Sequence, residues 1–179
     1  MSIENAHYIN IFLGIGVILL QALTAIVILL LVFSRENKFL YFIKKYFIQI
    51  GFLLSLFGLL VSTFYSEVLN YLPCFHCWIQ RIFMFPQTLL FGVAWLRKDK
   101  NVLWYSLSLL VFGLIDAIYL IYLYYFNVSS VPCDASGISC TLRYVSEFGG
   151  YISIPTMSLT GFTAILALLA VAYFYKKED

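Results

Sequence analysis

Long apolar runs alternate with short polar segments along the chain, and the runs set its architecture. Five stretches reach the roughly 20 mostly apolar residues that a helix needs to cross about 30 Å of hydrocarbon. They are Ile11 to Phe33, Tyr46 to Tyr65, Trp78 to Leu96, Val102 to Phe126 and Ile152 to Tyr175. None alternates apolar and polar residues with the period of two that a barrel strand requires. The pattern predicts an all-α integral membrane protein: a transmembrane helical bundle of five spans forming a single membrane domain over residues 1–179. The segment before the first run, Met1 to Asn10, has no Lys or Arg. That run is also too long for a cleaved signal peptide, so it reads as a span.

Composition narrows the classes. Hydrophobic residues make up 63% of the 179 and charged residues 11%, where soluble domains carry about a quarter charged. A formal net charge of +2 cannot neutralise many phosphates, which excludes nucleic acid as a partner. The basic residues are sorted. Arg35, Lys38, Lys44, Lys45, Arg97, Lys98, Lys100, Lys176 and Lys177 fall on one side of the predicted spans, and Arg81 and Arg143 on the other. By the positive-inside rule the first group marks the cytoplasmic face, with the N-terminus outside and the C-terminus inside. Trp95 and Trp104 bracket the Arg97–Lys100 turn as interfacial anchors.

All four cysteines then lie on the outer face, where disulfides persist. Cys74 and Cys77 sit on the first outer segment, Ser66 to Cys77; Cys133 and Cys140 sit on the second, Asn127 to Tyr151. The Ser, Gly and Pro content of the second, including Gly149 and Gly150, reads as mobile. Its Asn127-Val128-Ser129 glycosylation triplet is a weak signal against a membrane end.

The Cys74-Phe75-His76-Cys77 pair can close a small, strained ring suited to reversible exchange. Cys77 lies at the mouth of the third span, where unpaired N–H groups and the helix dipole favour an anion. Arg81, one turn deeper, adds positive charge to the same helix face. Both favour the thiolate. An arginine within a span calls for a partner, and an electron-rich headgroup at the interface would serve; the bland alternative is snorkelling to lipid headgroups. Two structural disulfides or a four-cysteine zinc site remain alternatives, the latter disfavoured by the wide second spacing. Haem attachment fails, because Trp78 rather than a histidine follows Cys77.

Cys74-Phe75-His76-Cys77 with Arg81 in Trp78-Ile79-Gln80-Arg81-Ile82 resembles the motif of the DsbB-type disulfide-bond formation proteins, in particular the BdbC-like branch. The second outer pair, Pro132-Cys133 through Cys140, and the Ile152-Ser153-Ile154-Pro155-Thr156-Met157-Ser158-Leu159 opening of the last span are similar as well. The resemblance covers residues 46–175, a four-helix disulfide-formation core, and leaves residues 8–33 as an extra N-terminal span. It implies a prokaryotic plasma-membrane thiol:quinone oxidoreductase with its cysteine loops on the extracytoplasmic face. Such a protein reoxidises a DsbA-like thioredoxin-fold thiol oxidase and passes electrons to ubiquinone or menaquinone, without a metal. On that resemblance Cys133 receives the partner's thiolate and Cys140 resolves the mixed disulfide. Electrons then pass to Cys74, and Cys77 is released as a thiolate beside a quinone held by Arg81.

The chain departs from the family in its extra span, read as a peripheral lipid-facing helix, and in the six residues between Cys133 and Cys140. One rival is a vitamin K epoxide reductase-like protein, whose loop cysteines precede rather than follow C-x-x-C. The other is a non-enzymatic membrane adaptor with structural disulfides. Asp116 reads either as a proton relay or as a carboxyl joining helices through Ser62 or Thr63.

Overall fold

A computed structural model describes residues 3–33, 37–126 and 143–175. Among them are six helices, of which five are long and apolar enough to cross a membrane. They are α1 (Ile3–Phe33), α2 (Lys38–Lys45), α3 (Phe47–Glu67), α4 (Phe75–Arg97), α5 (Val102–Phe126) and α6 (Ile154–Phe174). The expected spans are all present, and α5 has the predicted ends. The ends of α3, α4 and α6 shift by one to three residues, and two features differ further. The first helix starts earlier, at Ile3, and the basic connector before α3 is itself a short amphipathic helix, α2.

Sequence explains the helix ends. Asn37 caps α2, its Oδ1 accepting the Phe39 N–H at 2.8 Å, and Leu40 and Ile43 form the buried face of α2. Lys98 closes α4 in the left-handed region at φ 54°. At α6 a capping box operates: the Ser153 N–H donates to Thr156 Oγ1 at 2.8 Å while Ser153 Oγ accepts from the Thr156 N–H, with Pro155 in the first turn. Ahead of it Glu147 and Ile152 pair as an antiparallel bridge. Gly149 and Gly150 supply the positive φ values, 70° and 88°, that the intervening turn needs. These two glycines, expected in a mobile loop, therefore build a closed hairpin turn.

Helices α3 to α6 pack in sequence order, α6 returns against α3, and α1 lies along α6. Close approach is set by small residues, as between helices in lipid. A Cβ on Gly113 of α5 would come within 2.5 Å of Phe162 on α6 and 3.0 Å of Phe83 on α4. Gln87 of α4 donates through Nε2 to the Ser106 carbonyl of α5 at 3.0 Å, and Ser106 Oγ donates to Gln87 Oε1 at 2.6 Å; both residues are fully buried. The two ends of the bundle are each tied across the chain: Lys44 donates to the Tyr175 carbonyl at one end, and His7 pairs with Glu147 at 3.0 Å at the other. The apolar residues left exposed, such as Phe12, Leu53, Leu89 and Phe112, form the outward faces that a bilayer would cover.

Candidate functional site

The C-x-x-C pair is built into the start of α4. Cys74 is the N-cap residue, with extended backbone, and its Sγ accepts the Cys77 N–H at 3.4 Å. Cys77 thus occupies the third position of the helix, within the turn whose N–H groups lack helical acceptors. The two Sγ atoms stand 3.0 Å apart; an approach of about 1 Å would form the bond of a disulfide. Cys74 is buried against Leu120 of α5, whereas Cys77 is partly accessible.

Arg81 lies one turn below Cys77 and is held by α3. Its Nε donates to Ser62 Oγ at 2.9 Å, and its Nη2 donates to the Ser62 carbonyl and to Ser66 Oγ, each at 2.9 Å. The guanidinium carbon sits 5.0 Å from the centre of the Trp78 ring. A guanidinium has five N–H donors, so the two on Nη1 are uncommitted among the described residues. This arrangement is not snorkelling: the head is fixed by a neighbouring helix.

Cys74, Cys77 and Arg81 line one cavity of about 200 Å3 between α3, α4, α6 and α1. That is below the roughly 300–1,000 Å3 of pockets that bury whole drug-sized ligands, so it would enclose only part of a larger molecule. Tyr65, Tyr71 and Tyr144 border it as a stack, with ring centroids 5.7 Å and 4.8 Å apart. Gln80 also borders it. It is 6% exposed, and its Nε2 has no hydrogen-bond partner among the described residues. A buried amide donor without a partner is rare in native structures and points to an unseen acceptor.

His76, Asp116 and Arg143 fall elsewhere. Asp116 pairs with His76, Oδ1 to Nδ1 at 2.6 Å, and not with Ser62 or Thr63. Ser62 is occupied by Arg81, and Thr63 bonds the Leu59 carbonyl of its own helix. Neither His76 nor Asp116 lines the cavity. Arg143 stacks over the Tyr124 ring at 5.4 Å. It borders a separate hollow of about 820 Å3 between α5, the hairpin turn and α6, which no cysteine lines among the described residues. Cys133 and Cys140 lie outside the described residues, as do the Asn127-Val128-Ser129 triplet, Arg35, Lys176 and Lys177.

Comparison with known proteins decides the family. Residues 44–175 match the family described as "Disulfide bond formation protein DsbB". The chain belongs to the DsbB family. It is 39% identical over 137 residues to a "Probable disulfide formation protein C 2" of Bacillus anthracis, covering 76% of this chain and 97% of that one. It is 36% identical over 127 residues to the "SPbeta prophage-derived disulfide bond formation protein B" of Bacillus subtilis, covering 71% and 84%. The "Disulfide bond formation protein C" of the same organism is 29% identical over 137 residues, covering 74% and 96%. No solved structure matches.

Membership in the DsbB family makes this protein a membrane oxidoreductase of disulfide bond formation. Within the DsbB-family segment, Ser66 and Gln80 were given no role by sequence reasoning, and Ser62 was read only as a partner for Asp116 rather than for Arg81. The signal for the serines is their i, i+4 spacing at the outer end of α3, level with an arginine that needs acceptors. For Gln80 it is an amide inside an apolar span.

Proposed function

We propose that this protein is a thiol:quinone oxidoreductase that reoxidises an extracytoplasmic thioredoxin-fold thiol oxidase, with residues 46–175 as its catalytic core. The observation that carries the reading is the shared cavity. A C-x-x-C pair at a helix N-terminus, an arginine with two donors uncommitted among the described residues and a buried amide donor without a partner among them converge on one cavity. These residues fit a quinone: its two ring oxygens are acceptors, and Arg81 Nη1 and Gln80 Nε2 are donors uncommitted among the described residues. Ubiquinone and menaquinone both satisfy that chemistry.

The overall reaction balances as two thiols of the partner plus one quinone giving one disulfide plus one quinol, with two electrons and two protons transferred. Cys133 takes the partner's thiolate, forming a mixed disulfide as the Cys133–Cys140 bond breaks. The partner's second thiolate then releases the oxidised partner and leaves Cys133 and Cys140 reduced. Cys140 then attacks Cys74, forming an interloop bond as the Cys74–Cys77 bond breaks and expelling Cys77 as a thiolate. Cys133 attacks Cys140, re-forming the Cys133–Cys140 bond and releasing Cys74, and the Cys74–Cys77 bond is restored as two electrons and two protons pass to the quinone. The helix N-terminus and Arg81 stabilise the Cys77 thiolate. Arg81 Nη1 and Gln80 Nε2 orient the ring oxygens beside it, and the tyrosine stack limits water. The quinone supplies the two-electron oxidising power. The sorted basic residues support an orientation with the cysteine segments outside a prokaryotic plasma membrane.

Thiol trapping tests this reading. In membranes depleted of quinone, Cys74 and Cys77 should become alkylatable as dithiol accumulates, and adding quinone should restore the disulfide. Cysteines that remain oxidised in both conditions would reduce them to structural bridges.

A further inference from the structure

Helix α1 precedes the family match at residue 44, yet it forms one wall of the cavity that holds Cys77 and Arg81. Leu13, Val17 and Leu20 line it. Their spacing places them on one stripe of a 3.6-residue helix. The same face is anchored at successive levels. Asn10, 4% exposed, accepts a hydrogen bond from Tyr65 of α3 at 3.0 Å. Gln21 donates to Thr160 of α6 at 2.8 Å and accepts from Tyr151 at 2.9 Å. A Cβ on Gly14 would meet Phe148 at 3.0 Å, so the backbone of α1 is pressed against the hairpin turn. Phe12 and Leu19, on other sides of the helix, are 76% and 65% exposed. The expected peripheral helix is therefore lipid-facing on one side only.

The cavity is longer than a ring. On α3 its lining runs from Ser66 down to Leu54, a rise of about 18 Å. On α1 it runs from Leu13 to Leu20, about 10 Å. Its outer end carries the polar groups, Arg81, Ser62 and Ser66, while the deeper lining on α1 and α3 is apolar: Val17, Leu20, Leu54 and Phe57. A slot that is polar at the outer interface and apolar toward the middle of the membrane matches a quinone with an isoprenoid tail, ring outward and tail inward.

We propose that α1 is the tail-side wall of the quinone site and that Val17 is a specificity-determining position for the isoprenoid tail. This rests on the quinone reading above and extends it to a segment outside the family match. The energetic basis is the tenfold-or-greater discrimination that apolar pockets achieve for small changes in fitted volume.

The test uses the purified full-length protein with two acceptors that share one ring, one carrying an isoprenoid tail and one without a tail. Val17→Trp should raise KM roughly tenfold for the tailed quinone and leave the tail-less KM within about twofold. Val17→Ala should also shift only the tailed KM, and Leu19→Trp on the exposed face should shift neither. Turnover with the tail-less acceptor reports that each variant is folded. Equal KM changes for both acceptors, or none in either Val17 variant, would overturn the assignment of α1. Parallel loss of both activities in both Val17 variants would do the same, by making α1 purely structural. A wild-type protein that reduces neither quinone would instead remove the reading on which the assignment rests.

Discussion

Helix α4 carries polar residues on two stripes, and the stripes behave differently. Toward α5 it presents His76, Phe83 and Gln87. His76 is paired with Asp116, Phe83 packs at Gly113, and Gln87 exchanges two hydrogen bonds with Ser106. Toward α3 it presents Cys77, Gln80, Arg81 and Met84 around a cavity. There Arg81 retains two N–H groups and Gln80 a buried amide with no described acceptor. Inside a membrane both stripes are costly to form. On the α5 side the polar groups pair across to the next helix and join the two. Asp116 Oδ2 on that side, and Thr88 Oγ1 of α4 outside the cavity lining, are also buried without a partner among the described residues. On the α3 side the donors border a cavity and are available to a ligand. One helix thus holds the bundle together with one side and presents chemistry with the other.

Variants sharpen that division in order of expected effect. Cys77→Ala on the cavity side should abolish quinone reduction in a stopped-flow or absorbance assay while leaving the protein folded, because no thiolate then meets the ring. Arg81→His should raise the apparent quinone KM about 10- to 100-fold, the equivalent of the roughly 1.5–3 kcal/mol carried by hydrogen bonds to a charged donor. A wild-type KM would return Arg81 to a purely helix-joining role. On the α5 side the readouts reverse. Gly113→Ala should destabilise by about 1–3 kcal/mol through overpacking against Phe162 and Phe83, measured by unfolding in detergent with the quinone KM unchanged. Gln87→Leu should cost about 0.6–1.7 kcal/mol, the range for interhelical hydrogen bonds in a membrane. A changed KM in either α5-side variant would blur the two stripes into one.

A fifth variant addresses the outer segments. Replacing the second active cysteine of the thiol oxidase with Ala should trap a mixed disulfide between Cys133 and that partner, because no thiolate then releases it, seen by non-reducing electrophoresis and mass mapping. An adduct at Cys74 would reverse the assigned order of the loops.

Legibility in the sequence followed the range of the interactions involved. Each span is a local property, an apolar run of sufficient length, and so α5 ends where the run ends. The N-terminal position of Cys77 within α4 is also local, set by Pro73 and Cys74 ahead of an apolar run. Helix α2 was hidden because its polar face resembles an ordinary basic connector, and its two buried residues acquire meaning only against α6. The extension of α1 to Ile3 was masked by Glu4, Asn5 and His7, which resemble an outer tail. Relations between helices were the hardest to read. Ser62 was a reasonable partner for Asp116 by depth alone, but the rotation of α3 aims it at Arg81, and α5 turns Asp116 toward His76. The place of α1 beside the cavity depends on packing that its apolar composition leaves undetermined.

The most direct test of the central claim is anaerobic quinone reduction by the purified full-length protein supplied with a reduced thioredoxin-fold donor. One quinol should form for each donor disulfide produced, and none with Cys77→Ala. Donor oxidation without quinone consumption, or equal quinone reduction by Cys77→Ala, would contradict it.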